Sequence, residues 1–371
     1  MGLDKIRIEG FKSIKALDLE LRSLNVLIGA NGAGKSNFLS AFKLLSAISQ
    51  GELQIFAAIS GGPDSLLYFG RKVTDCINIE LCFEHKEYRA SLKPTPENKL
   101  IFLNEFVRIQ APKPAEMVWD FKEQGHQESA LSLKAEKDRA FNDVISELKS
   151  WKVYHLNDTG DKAPVKGGSG VNDNFYLKPD GSNLAAFLYL LQHANRKHYD
   201  AIRDTIRLVA PFFKDFALRT NPFNDRLIQL EWHERGHDTP WLAHHLSDGT
   251  LRFMCLVTLL LQPSPPATIL IDEPELGLHP YAINVLASLI KSSSLRTQII
   301  VATQSVDLVS QFDVEDLLVV DRESPIKDNR QFGDIKKATE IRRLDKKDYA
   351  DWLTEYSVGE LWEKNVFGGR P

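Results

Sequence analysis

The chain holds only three cysteines, Cys76, Cys82 and Cys255, and only three methionines among 371 residues. An odd cysteine count with no CxxC pair excludes a disulfide framework and a cysteine-rich zinc site, and it fits a reducing, cytoplasmic setting. No apolar run reaches the length a membrane helix needs, and no cationic segment followed by an apolar one opens the chain. Neither a membrane span, a secretory leader nor a membrane partner is therefore expected. Internal repeats and low-complexity tracts are also missing. So is a charge of one dominant sign: 46 Lys and Arg stand against 50 Asp and Glu, a net charge of −4, and contact with nucleic acid would need a local basic patch. What is left is an ordinary globular composition, 43% hydrophobic and 26% charged, on a chain long enough for about two to three domains.

Apolar runs at 5–11, 17–21 and 24–28 predict three strands. Directly after the third comes Gly29-Ala30-Asn31-Gly32-Ala33-Gly34-Lys35-Ser36, and then Phe38, Leu39, Phe42, Leu45 and Ile48 recur at helical spacing over 37–49. Mixed strands and turns follow, with strand candidates at 76–83 and 88–92 and a helix predicted at 132–149. The turn-rich stretch 157–170 is expected to be a mobile loop. Helices at 184–193 and 199–209 lead to paired strands within 213–235. From Leu246 helices and strands alternate again: helix 249–261, strand 268–271, helix 281–292, strand 298–302, helix 306–312 and strand 316–321. That rhythm implies a parallel sheet. The expected organisation is one head domain made from both ends, 1–84 and 216–325, an inserted central lobe at 85–215, and a tail at 326–371 packed on the head.

Three constellations carry chemistry. The loop Gly29–Ser36 fits GxxxxGK[ST] between a strand and a helix, where glycines let backbone N–H groups turn around phosphate oxygens. The ATP-binding residues expected are Gly29, Ala30, Asn31, Gly32, Ala33, Gly34, Lys35, Ser36 and Asn37, with Lys35 reaching the β- and γ-phosphates. The apolar strand before Asp272-Glu273-Pro274 ends in two acids. Ser36, directly, and Asp272, through water, are the expected holders of Mg²⁺, and Glu273 is placed to orient or deprotonate an attacking water. Lastly, Leu246-Ser247-Asp248-Gly249-Thr250 opens a helix with a Ser or Asp cap.

The order of these parts, glycine loop, long intervening lobe, LSxG helix start, then strand-Asp-Glu, resembles that of ABC-type ATPases. The resemblance implies an α/β fold: a P-loop NTPase head, a mixed β-sheet with flanking helices, carrying an inserted central α+β lobe. It implies that Ser247, Asp248 and Gly249 act in trans, offering a capped helix N-terminus to the γ-phosphate held by a second copy. Glu275-Leu276-Gly277-Leu278-His279-Pro280 resembles the D-loop, and the run 298–305 resembles the switch strand, with Gln304 where many members place His. A glutamine amide donates to a γ-phosphate but cannot take up or release a proton at neutral pH, so turnover would be slow or rest on Glu273. His279 reads as a structural or a catalytic histidine, and Gln50 and Gln54 are both candidates for the Q-loop glutamine.

Residues 5–13, 29–36, 180–184, 246–250 and 269–280, with the tail 356–362, resemble the RecF/SMC/OLD branch of these ATPases, above all its compact standalone bacterial members. That implies an ATPase converting ATP and water to ADP and phosphate, working as an ATP-sandwiched homodimer that controls DNA or a partner effector in genome maintenance or phage defence. The alternative is a low-turnover ATP-sensing scaffold that holds a toxin or nuclease subunit. SMC-length arms are excluded by the single helix near 132–149, and an OLD-type nuclease domain by the absence of an acidic cluster after Asp321. Any nuclease would be a separate chain. For DNA contact the basic candidates are Lys336, Lys337, Arg342, Arg343, Lys346 and Lys347, and then Lys197, Arg203 and Arg207. Trp352, Tyr356 and Trp362 read as aromatics docking into the chain's own core.

Overall fold

The structure is a computed structural model that describes residues 2–109, 121–131, 139–156, 158–322 and 338–370. The strands are β1 (Lys5–Phe11), β2 (Ile14–Glu20), β3 (Leu24–Ile28), β4 (Ile77–Phe83), β5 (Lys86–Pro94), β6 (Leu100–Ile109), β7 (Phe121–Glu123), β8 (Lys152–Tyr154) and β9 (Gly168–Gly170). They continue with β10 (Phe213–Phe216), β11 (Thr220–Asn221), β12 (Asn224–Gln229), β13 (Glu231–Glu234), β14 (Trp241–Leu242), β15 (Thr268–Asp272), β16 (Gln298–Thr303), β17 (Leu317–Arg322) and β18 (Thr339–Arg343). The helices are α1 (Lys35–Gln50), α2 (Leu53–Ile59), α3 (Pro63–Leu66), α4 (Arg139–Ser150), α5 (Leu184–Ala194), α6 (Arg196–Val209), α7 (Asp248–Leu261), α8 (Pro280–Ser293), α9 (Val306–Val309) and α10 (Val358–Glu363).

Two six-stranded sheets organise the chain. One is antiparallel, in the order β2-β1-β4-β5-β6-β7; the other runs β18-β17-β3-β16-β15-β8, parallel except for β18. Alternation along the parallel strands sends side chains into two different cores. Leu27, Leu270, Ile300, Ala302, Leu318 and Val320 face one core, shared with the antiparallel sheet, α1 and α4. Val26, Ile28, Ile269, Ile271, Ile299, Val301, Leu317 and Val319 face the other, filled by α5 to α8. A sheet covered on both faces explains why its strands read as unbroken apolar runs. Helix α7 is buried at every position from Leu251 to Leu260.

The sheets redraw the expected boundaries. A break at 84/85 falls in the turn between β4 and β5, which pair from Ile77↔Leu92 to Phe83↔Lys86, so residues 86–109 extend the first sheet. The stretch read as an inserted lobe also supplies β8, an edge strand of the parallel sheet beside β15, and the 215/216 break cuts β10. The lobe is thus not one body. The stretch expected to be a mobile loop is pinned as well: Ala163, Val165 and Lys166 are buried and β9 pairs with β12. Of the helix expected at 132–149, residues 132–138 lie outside the described residues. In the tail, β18 pairs with β17, and Trp362 and Phe367 are fully buried; Trp352 is exposed.

Candidate nucleotide site

Strand β3 is buried along its whole length and delivers the glycine loop at its C-terminal end, where ligands gather in open α/β sheets. Lys35, first residue of α1 and 6% exposed, folds its Nζ back to donate to the carbonyls of Gly29 and Ala30. Burial lowers its pKa, and Glu273, Asp272 and Glu275 oppose that shift, so the three carboxylates lie within electrostatic reach of this ammonium. Asn31, Gly32 and Ser36 are exposed. Gly34 has φ 121°, and a Cβ there would stand 2.2 Å from Thr339 Oγ1. This close approach lets Thr339 brace the loop. Its hydroxyl donates to Ala33 O at 2.9 Å and lies 2.8 Å from Ser13 Oγ, while its N–H donates to Ser13 O. Asn37 donates its side-chain amide to the same Ser13 hydroxyl at 2.7 Å, so this side chain braces the loop.

Two strands away, β15 ends at Asp272. Burial pushes the Asp272 carboxyl up, against the pull of Lys43 and Lys35. Glu273 turns the chain with φ 46° and donates its N–H to Ala302 O. Glu275, 6% exposed, accepts from Thr303 Oγ1 at 2.6 Å and from the Gln304 N–H at 3.4 Å. Its other oxygen is buried without a hydrogen-bond partner, and burial raises its pKa. Among the described residues no three His, Cys, Asp or Glu side chains gather as a metal cage. The available donors near the loop, the Ser36 hydroxyl and the Asp272 carboxylate, are hard oxygens. That set fits Mg²⁺, which takes one or two protein oxygens and completes its shell with phosphate and water.

The stretch read as the signature lies at the start of α7. Ser247 is its N-cap, accepting from the Thr250 N–H at 3.2 Å. Asp248 and Ser247 are exposed, and Lys166 Nζ lies 3.6 Å from Asp248 Oδ1. A Cβ on Gly249 would stand 2.1 Å from the Gly277 carbonyl oxygen, so the signature and the D-loop touch backbone to backbone. His279 caps α8 through Nδ1, which accepts from the Tyr281 N–H at 3.3 Å, and this gives it a structural task.

The family described as "AAA domain, putative AbiEii toxin, Type IV TA system" has a model that matches residues 24–310, which takes in the glycine loop, the acidic strand and the switch strand. The chain belongs to this AAA-domain family. None of the curated proteins matches it. Among solved structures it is similar to the Smc head bound to the C-winged helix domain of ScpA, at 15% identity and a TM-score of 0.60, covering 95% of this chain and 100% of that one. It is also similar to two Smc heads from Pyrococcus species. That of Pyrococcus furiosus, bound to the C-terminal domain of ScpA, has 14% identity and a TM-score of 0.56; that of Pyrococcus yayanosii has 12% and 0.52; each comparison covers 95% of this chain and 99% of the other. The fold is that of an SMC/ABC-type P-loop NTPase head, a mixed β-sheet with flanking helices.

In this AAA-domain chain both glutamines read for the Q-loop make hydrogen bonds within the fold. Gln54 gives its amide to Leu100 O and Gln127 O and accepts from the Leu100 N–H, and Gln50 bonds back to Ser46 one turn earlier. The side chain that does stand at Asp272 is His155, with Nδ1 3.8 Å from Asp272 Oδ2. Burial and the neighbouring Lys43 lower its pKa. The arginines of the basic clusters are engaged within the fold, while Lys197, Lys346 and Lys347 are exposed. Arg343, half-buried and beside Arg22, has its pKa lowered to about 10 and donates to Glu315 O, Glu20 O and Asn25 Oδ1. Arg342 donates to Phe367 O. Arg203 and Arg207 pair with Asp200 and Asp204 on their own helix. Lys336 and Lys337 lie outside the described residues.

Proposed function

We propose that this chain is a compact standalone member of the RecF/SMC/OLD branch: an ATPase that binds ATP with Mg²⁺ and closes two copies head to head around two nucleotides. The observation that carries the reading is Lys35, a buried ammonium at the head of α1 within electrostatic reach of Asp272 and Glu273. In it, the loop N–H groups cradle the phosphates, and Lys35 exchanges the Gly29 and Ala30 carbonyls for phosphate oxygens. Ser36 and Asp272 would hold Mg²⁺, which supplies charge neutralisation on the phosphates. Glu273 orients and deprotonates the attacking water, the Gln304 amide donates to the γ-phosphate, and Ser247 with the Gly249 N–H closes the site from the second copy. Catalysis is then positioning and electrostatics around in-line attack.

The cycle would control a DNA transaction or a separately encoded partner, in genome maintenance or phage defence. The solved Smc heads bound to ScpA support the idea of a partner subunit by analogy. The second reading, a low-turnover ATP-sensing scaffold for a toxin or nuclease, is favoured by Gln304, which cannot take up or release a proton at neutral pH, and by the toxin–antitoxin wording of the family. Measuring ATP binding, turnover and mass in solution tests both. Lys35→Ala should abolish binding, and Glu273→Gln should trap an ATP-bound dimer. A Glu273→Gln protein hydrolysing at the wild-type rate removes the assigned role, and negligible wild-type turnover with intact ATP-driven pairing selects the scaffold.

A further inference from the structure

The Asp272 carboxylate is faced by three basic groups, Lys35 and Lys43 from α1 and the His155 imidazole. His155 reaches it by strand register. Tyr154 pairs with Ile271 in the parallel β8–β15 ladder, so the next residue of each strand, His155 and Asp272, emerges side by side at the C-terminal edge of the sheet. The His155 N–H donates to Pro179 O at 3.2 Å and fixes the backbone there.

The two ring nitrogens have different surroundings. Nδ1 faces Asp272 Oδ2 at 3.8 Å, while Nε2 is sealed from solvent and has no hydrogen-bond partner. A neutral imidazole carries one proton, and an orphaned buried N–H is the rarer and costlier defect than a bare acceptor. The proton therefore belongs on Nδ1, aimed at the carboxylate. At 3.8 Å the contact is longer than a hydrogen bond, as such pairs often are before the bound complex tightens them.

We propose that His155 is the positioning residue of the metal-side carboxylate: its Nδ1–H holds Asp272 Oδ2 and so fixes which oxygen Asp272 presents to the cation that accompanies the nucleotide. The proposal rests on the nucleotide reading of the site. Outer partners of this kind orient a carboxylate that serves a metal, directly or through its water, and their loss typically costs about 10- to 100-fold in metal affinity. An amide N–H of sufficient reach can replace the imidazole N–H, and an apolar side chain cannot.

The test is a Mg²⁺ titration of the binding of a fluorescent, non-hydrolysable ATP analogue to the full chain, carried out for wild type, His155→Leu and His155→Gln. In His155→Leu, binding without metal should equal wild type, while the Mg²⁺ concentration for half-maximal tightening rises about tenfold or more. His155→Gln should recover most of that shift. Should His155→Leu fail to fold, His155→Gln against His155→Ala gives the same contrast. A His155→Leu curve that superimposes on wild type overturns the proposal, and so does a His155→Gln no better than His155→Leu. A wild type that binds no nucleotide, with or without Mg²⁺, removes the nucleotide reading itself and is recognised before any variant is compared.

Discussion

Lys166 Nζ lies 3.6 Å from Asp248 Oδ1, yet the two residues are buried to opposite degrees: the lysine side chain is 5% exposed and the aspartate 63%. The pair joins the segment before β9 to the first residue of the signature helix. Because the burial is lopsided, the two halves should be unequal under mutation. Removing the carboxylate strands a buried ammonium and takes an acid from the first turn of α7, whereas removing the ammonium leaves an aspartate that water already solvates. Asp248→Ala should therefore cost about 1–2 kcal/mol in urea unfolding and Lys166→Met under about 1 kcal/mol. Equal losses, or a larger one for Lys166→Met, would show that the pair does not bear on stability in this way.

Gly249 fixes the signature against the D-loop. A Cβ at this position would stand 2.1 Å from the Gly277 carbonyl oxygen, and this oxygen is backbone, so it does not swing aside as a flexible side chain would. Gly249→Ala should shift the start of α7 and destabilise the chain by about 1–3 kcal/mol. ATP-driven pairing, read by light scattering, should suffer more than ATP binding, since the glycine loop is elsewhere. A variant with unchanged melting and unchanged pairing removes the contact from consideration.

The parallel sheet and the glycine loop were legible in the sequence because both carry local signals: unbroken apolar runs at 24–28, 268–271 and 298–302, and glycines before Lys35. The short edge strand β8 was not, since Lys152–Tyr154 is three residues long and owes its strand state to pairing with β15. For the same reason His155 escaped notice, as only the ladder sets it beside Asp272. The hairpin β4–β5 ran across an expected boundary because 76–83 and 88–92 read as two separate strands, and nothing in the sequence says that they pair with each other. The arginines at 342 and 343 looked like a nucleic-acid face for a similar reason. Charge is visible in a sequence, but the carbonyls that consume it are not.

Thr339 bridges the last strand of the parallel sheet to the glycine loop and to Ser13, and no motif flags it. Thr339→Val keeps the shape and removes the hydroxyl that donates to Ala33 O. One buried hydrogen bond contributes about 1 kcal/mol, so ATP affinity should fall about five- to tenfold if the loop loses its brace. Thr339→Ser should restore it. Isothermal calorimetry on the two variants decides: a Thr339→Val affinity equal to wild type places the bridge outside nucleotide binding.

Glu275 gives a pH dependence whose sign follows from burial. Its carboxyl is held above the usual range because the ionised form is desolvated, and one of its oxygens has no partner. A group with a raised folded pKa contributes stability that is fully present below its unfolded pKa and is lost as pH rises through the folded value. The wild type should therefore surrender stability as pH rises from about 4, near the unfolded glutamate value, through the higher folded one. Glu275→Gln keeps an acceptor for Thr303 Oγ1 and the Gln304 N–H but cannot ionise. The difference in melting temperature, Glu275→Gln minus wild type, should accordingly be near zero at pH 4 and grow to a few degrees in favour of the variant at pH 8. Melting curves across that range provide the check. A difference that stays flat, or shrinks as pH rises, would mean that the Glu275 carboxylate is better solvated or better paired than its buried, unpartnered oxygen implies.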